Sequence, residues 1–176
     1  MTDFMNKFFK EPIVKFLAFG LLFYLSWLAL YEWVIHPAGW ADSAVINNTI
    51  SISSKILGWF GYEVEHTSAR IFGIKGTPGL FIGDSCNGIS LFALYSIFII
   101  AFPGKISSKF IFIPAGIMII HFLNVVRLVA LGIIMTYSYE WTEFNHTYTF
   151  TILIYAFIFL TWIYWINKFS GIKKKA

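Results

Sequence analysis

Apolar residues fall along this chain in four runs, separated by shorter polar segments. The runs are Pro12 to Ile35, Gly88 to Phe102, Phe110 to Met135 and Thr147 to Ile166. A helix crossing a hydrocarbon layer of roughly 30 Å needs about 20 residues, so three of the runs suffice and the second is short. The second is expected to begin inside a re-entrant or interfacial turn. The loop from His36 to Asn87 is the only long stretch that is not plainly membrane. In its first half, "SAVINNTISISSKILGWFGY", apolar positions fall at mixed spacing, which predicts a helix lying in the interface and continuing to about Phe60. The second half alternates around Tyr62, Val64 and His66. Two β-prone segments then flank "KGTPG", which predicts a small β-hairpin delivering the chain to Cys86. The pattern is that of an all-α integral membrane protein of about four crossings, with no internal repeat, forming one domain over 1–176.

Composition agrees with this pattern. Of 176 residues, 58% are hydrophobic, 20% aromatic and only 12% charged, with a mean hydropathy of +0.72. A soluble domain carries about twice that share of charge. The formal net charge of +4 tells less than its placement. Four crossings put Lys7, Lys10, Lys15, Lys105, Lys109, Lys168, Lys173, Lys174 and Lys175 on one side, and Lys55, Arg70 and Lys75 on the other. By the positive-inside rule the first side is cytoplasmic, with both termini. Seven acids, Glu32, Asp42, Glu63, Glu65, Asp84, Glu140 and Glu143, then lie outside or at the outer boundary. The first run, although preceded by lysines, is too long for a signal peptide and ends in an aromatic-rich anchor, so it is expected to stay as a helix. The basic residues border apolar runs rather than forming a nucleic-acid surface, and the partner this placement implies is membrane lipid.

The candidate chemistry is carried by residues that suit a membrane poorly. Cys86, the sole cysteine, sits in "FIGDSCNGISLF". Asp84 or Ser85 would cap a helix starting near Cys86, whose N-terminal dipole favours the thiolate, although the Asp84 carboxylate opposes it. A lone cysteine is more often a packing residue. Arg127, in the outer third of the third crossing, costs a few kcal/mol to bury, and such a residue is by default functional. The plainer reading pairs it with Glu140 or Glu143, or lets it snorkel. His121 and Asn124 precede it at three-residue steps and make a polar seam. His121 alone is readily explained as a helix–helix hydrogen bond. His146 lies at the outer start of the last crossing. Cys86, Arg127 and His146 thus meet near one depth, and they suffice for acyl transfer: a thiol nucleophile, an imidazole proton carrier and a guanidinium for the oxyanion. Asn124, Asp84 and Asn87 are the supporting candidates.

Two other patterns weaken on inspection. "GDSCNG" has Asn87 where a serine-hydrolase elbow needs glycine, so Ser85 is a weak nucleophile. His36, His66, Glu63, Glu65 and His146 lack the tight spacing of metal ligands, so neither a metal nor another cofactor is expected. "NNT" and "NHT" match the glycosylation sequon, which matters only in a host that glycosylates.

The cysteine in "DSCNGISLF", the arginine in "FLNVVRLVALG" and the histidine in "FNHTYTF" resemble the three motifs of the exosortase/archaeosortase family of membrane transpeptidases. The resemblance runs from near Arg70 to the last crossing, and the short chain is most like the compact F-type exosortases. Where family members commonly carry serine or threonine before the glycine that follows the cysteine, this chain has Asn87. The resemblance implies an enzyme of the prokaryotic inner membrane. It would cleave exported proteins at a C-terminal sorting signal (a short motif, a transmembrane helix and a basic cluster) on the outer face, through a thioester on Cys86, with His146 and Arg127 in the roles above. The competing readings are a hydrolase of the same chemistry and a non-enzymatic transport or assembly subunit built on His121, Asn124 and Arg127.

Overall fold

The computed structural model describes residues 12–68 and 70–170. The chain is mostly helical. Helix α1 (Pro12–Leu30) passes through a π turn (Tyr31–Ile35) into a last α turn (His36–Ala38). Gly39, in the left-handed region at φ 66°, ends that helix and starts α2 (Trp40–Trp59). Strands β1 (Val64–Ser68), β2 (Ile71–Ile74) and β3 (Leu80–Phe81) follow. A 3₁₀ turn (Asp84–Cys86) leads to α3 (Ile89–Ala101) and α4 (Ile106–Met135). The chain closes with α5 (Tyr139–Phe144), a second π turn (Asn145–Thr149) and α6 (Phe150–Phe169).

Three stretches are long and apolar enough to cross a membrane: Ile13–Ala38, Ile106–Met135 and Tyr139–Phe169. They present Leu17, Leu21, Phe110, Met118, Ile152 and Leu160, among others, on their outer surfaces, as lipid-facing helices do. The second apolar run forms a helix of 13 residues, a rise of about 20 Å. Of the basic residues, Lys15, Lys105, Lys109 and Lys168 gather where Phe16 packs on Phe102 beside the start of α4. Lys7, Lys10, Lys173, Lys174 and Lys175 lie outside the described residues.

Around α4 the interior forms two clusters. Towards its Ile106 end, Tyr95 and Ile99 of α3 meet Ile120 of α4 and Ile154, Ile158 and Trp165 of α6. Gly116 makes this approach possible, because the Tyr95 ring occupies the space a Cβ would need, while the Tyr95 hydroxyl donates to the Phe112 carbonyl at 3.1 Å. Towards the Met135 end, Ile46, Ile50 and Leu57 of α2 pack with Phe72 and Ile74 of β2 against Val125, Leu128 and Val129.

Two expectations change here. Helix α2 does not lie free in the interface. It packs on α4, with the Asn48 side chain 2.8 Å from His121 Nε2, the Ser53 hydroxyl donating to the Val125 carbonyl, and Leu57 beside Gly132. Its buried positions Ile46, Ile50, Ser53 and Leu57 recur at steps of four and three, which is one helical face, and a serine within it hides the stripe. Where the sequence suggests a hairpin alone, the structure has a three-stranded antiparallel sheet in the order β1-β2-β3, with Ile71–Phe81 spanning its β2–β3 pair. β1 adds itself to the far edge of β2, leaving β3 as the other edge.

Replacing Gly116 by alanine inserts a methyl where the Tyr95 ring stands, an overpacking cost of about 1–3 kcal/mol. The expected result is a melting temperature in detergent several degrees below the parent.

Candidate functional site

The segment holding Cys86 is fixed from both sides. Upstream, the Ile82 N–H donates to the Arg70 carbonyl at 2.9 Å and the Asp84 carboxylate forms an ion pair with Arg70. Downstream, Gly88 takes φ +87°, which only glycine adopts without strain, and a Cβ there would run into the Asn124 amide. The helix that follows therefore starts at Ile89, not near Cys86. Its first turn is served by Asn87, whose Oδ1 accepts from the Ile89 N–H at 2.8 Å, rather than by Asp84 or Ser85. Cys86 sits ahead of that helix in its own 3₁₀ turn, its N–H bonded to the Gly83 carbonyl at 3.0 Å. The helix dipole is accordingly not what acts on its thiol. Asp84, held by Arg70 and 3.8 Å from His36 Nδ1, is drawn away from it.

Asn87 is buried, 3% exposed, and ties three helices together. Its Nδ2 donates to Asp42 Oδ1 of α2, and its carbonyl accepts from Asn124 Nδ2 of α4 at 3.2 Å. Asp42 is itself 1% exposed. It also accepts from the Tyr31 hydroxyl at 2.8 Å, and its Oδ2 lies 3.7 Å from His36 Nδ1. Reading the sequence placed Asp42 among the boundary acids and missed this role. The one local signal was an aspartate in the first turn of a helix, which is commonly just a favourable charge there.

The imidazole comes from the far end of the chain. His146 lies in the second π turn and sets its Nε2 3.5 Å from Cys86 Sγ. The wide turn leaves the His146 carbonyl to side-chain donors, Arg127 at 3.3 Å and Thr151 at 3.5 Å. Cys86, Arg127 and His146, predicted from three separate segments, are thus brought together. Ser85 Oγ lies 3.8 Å from Sγ, but the imidazole is on the sulfur. Among the described residues no carboxylate forms an ion pair with Arg127, so the pairing with Glu140 or Glu143 is not made. The polar seam is no continuous path either: His121 reaches Asn48, Asn124 reaches Asn87 and Arg127 reaches His146.

The thiol titrates at about 7, below its ordinary 9.0. The hydrogen bond with His146 is the largest cause, helped by Ser85 and by the Arg127 charge, against a burial effect that favours the neutral thiol. The lowered pKa favours the thiolate near neutral pH, and the thiolate is the nucleophilic form. The three residues line one cleft of about 240 Å³, walled by Leu80, Ile82, Leu128, Leu131 and Tyr139. Among the described residues no group of three or more His, Cys, Asp or Glu side chains gathers to hold a metal.

The family model for transmembrane exosortases matches residues 8–164. The chain belongs to that family. It is therefore an integral membrane protein of a family of membrane transpeptidases. Neither a curated protein nor a solved structure matches it.

Two outcomes are expected. In His146→Ala the thiol loses its largest stabilising partner, so its pKa rises towards 9 and alkylation of Cys86 by iodoacetamide at pH 7 slows at least about ten-fold; the pH profile of the alkylation rate measures this directly. Asp42→Ala strands the Tyr31 hydroxyl and the Asn87 amide in a buried site, at about 1–3 kcal/mol for each group, and should register as a marked fall in melting temperature in detergent.

Proposed function

We propose that this exosortase is a cysteine peptidase of the transpeptidase type, with Cys86 as nucleophile, His146 as proton carrier and Arg127 as the cation that meets developing negative charge. The observation that carries the reading is the Cys86–His146 pair at 3.5 Å with Arg127 bonded to the carbonyl of that same histidine.

The chemistry follows from the geometry. The Cys86 sulfur, its proton taken up by His146 Nε2, attacks a peptide carbonyl and the carbonyl oxygen gains a full negative charge. Arg127, in a cleft largely walled by apolar side chains, stabilises that charge more than it would in water. As the C–N bond breaks, the imidazolium returns its proton to the departing amine and a thioester remains. An acceptor amine, or water, then attacks the thioester; its proton passes to His146 and on to the leaving thiolate. Asn124, Asp84 and Asn87 hold the Cys86 segment and take no part in the proton transfers.

In the membrane the same reading makes α3 a fourth, short crossing and the chain one membrane-embedded unit. The lysine-rich end faces the cytoplasm and the cleft faces outward across the prokaryotic inner membrane. The substrates are exported proteins with a C-terminal signal of motif, transmembrane helix and basic cluster. Such a helix arrives through the bilayer, and its packing against the enzyme positions the scissile bond.

The test is to express Cys86→Ala, Arg127→Ala and His146→Ala beside the parent and follow the size of exported proteins with a C-terminal helix and basic tail. Each variant is expected to lose processing by at least about 100-fold. Processing that survives Cys86→Ala removes the nucleophile and the reading with it. If Arg127→Ala alone abolishes function while Cys86→Ala does not, the transport or assembly reading is the correct one.

A further inference from the structure

The cleft that His146 lines is also lined by four consecutive residues, Gly79 to Ile82. A sheet face shows a cavity every second residue, because side chains alternate; an edge shows it every one. The cleft therefore runs along the free edge of β3. Pairing fixes what that edge offers. Leu80 is opposite Phe72, and the Ile82 N–H donates to the Arg70 carbonyl. These alternate residues turn their backbone groups towards β2, so Phe81, between them, turns its own N–H and C=O outward.

A second feature points to a peptide as the occupant. Asn124, 4% exposed, lines the same cleft, and its Oδ1 is buried without a hydrogen-bond partner. A buried acceptor left unpaired costs free energy until a donor arrives. Phe81 supplies one donor and one acceptor, and Asn124 one acceptor. An extended peptide presents the complement of both along one strand.

We propose that the segment carrying the scissile bond binds as an added strand on β3, pairing with the N–H and C=O of Phe81 and donating one N–H to Asn124 Oδ1. This rests on the peptidase reading above and specifies how that site holds its substrate: by main-chain recognition of an extended segment, beside a thiol five residues further along the same chain. The Phe81 side chain, 68% exposed, is not what binds.

The experiment compares Phe81→Pro with Phe81→Ala in the full-length membrane protein. Proline removes the N–H, which makes no bond to β2; alanine removes the ring and keeps the N–H. Two readouts are taken: processing of exported proteins with a C-terminal helix and basic tail, and the pH profile of Cys86 alkylation by iodoacetamide. The expected result is processing reduced about ten-fold in Phe81→Pro and within about two-fold of the parent in Phe81→Ala, with both alkylation profiles unchanged. Parent-like processing by Phe81→Pro overturns the proposal, as does an equal loss in Phe81→Ala. If Phe81→Pro disturbs the alkylation profile, replacement of Phe81 by its α-hydroxy acid decides, since it exchanges only the N–H for an ester oxygen: loss supports the added strand and full activity overturns it. Processing in the parent that does not depend on Cys86 would instead sink the peptidase reading itself.

Discussion

One buried contact, the Asn87 amide against the Asp42 carboxylate, decides where the reactive part of this molecule can be. Asn87 has no freedom left: its Nδ2 is committed to α2, its Oδ1 to the first N–H of α3, and its carbonyl to Asn124 of α4. The residue before it is Cys86. A carboxylate 1% exposed costs several kcal/mol to remove from water, and it is tolerated where donors surround it. Here both donors, Tyr31 and Asn87, serve Oδ1, while Oδ2 has no hydrogen bond among the described residues and faces His36 Nδ1 at 3.7 Å. An apolar substitute could fill the space, but it could not tell one orientation of the Asn87 amide from the other.

The apolar runs were legible because hydropathy is local, and their helices follow within a few residues. Cys86, Arg127 and His146 were legible for a different reason: each is costly or reactive at the depth its run assigns to it. What could not be read depends on partners distant in sequence. The packing face of α2 includes Ser53, which a search for apolar periodicity discards, yet that hydroxyl is satisfied by the Val125 carbonyl. Gly88 falls in the expected first turn of a helix starting near Cys86, and only its meeting with Asn124 shows why the backbone must turn there. Asp42 gave no sign of its partner, since Tyr31 reaches it from a π turn that no local pattern announced.

The two π turns belong to one design. Each adds a residue to a turn that an α-helix would close in fewer, at a cost in hydrogen-bond geometry, and such turns occur frequently at functional sites. The first, Tyr31–Ile35, brings Tyr31 to Asp42. The second, Asn145–Thr149, brings His146 to Cys86 and gives its carbonyl to Arg127. Arg127 thereby fixes the backbone that carries the imidazole as well as placing positive charge beside the thiol.

The unequal lengths of α3 and α4 have a consequence of their own. Helix α3 begins at the level of Asn124, whereas α4 continues for 11 residues more, to Met135, a rise of about 16 Å. The thiol is therefore sunk in a well, with the sheet, the end of α2 and α5 forming its rim. On the peptidase reading proposed above, that depth would serve as a ruler for a protein anchored by its own transmembrane helix: only a bond within a few residues of the point where the anchor leaves hydrocarbon would reach the sulfur. A bilayer that thins or thickens moves that point, so membrane thickness would help select which peptide bond is presented.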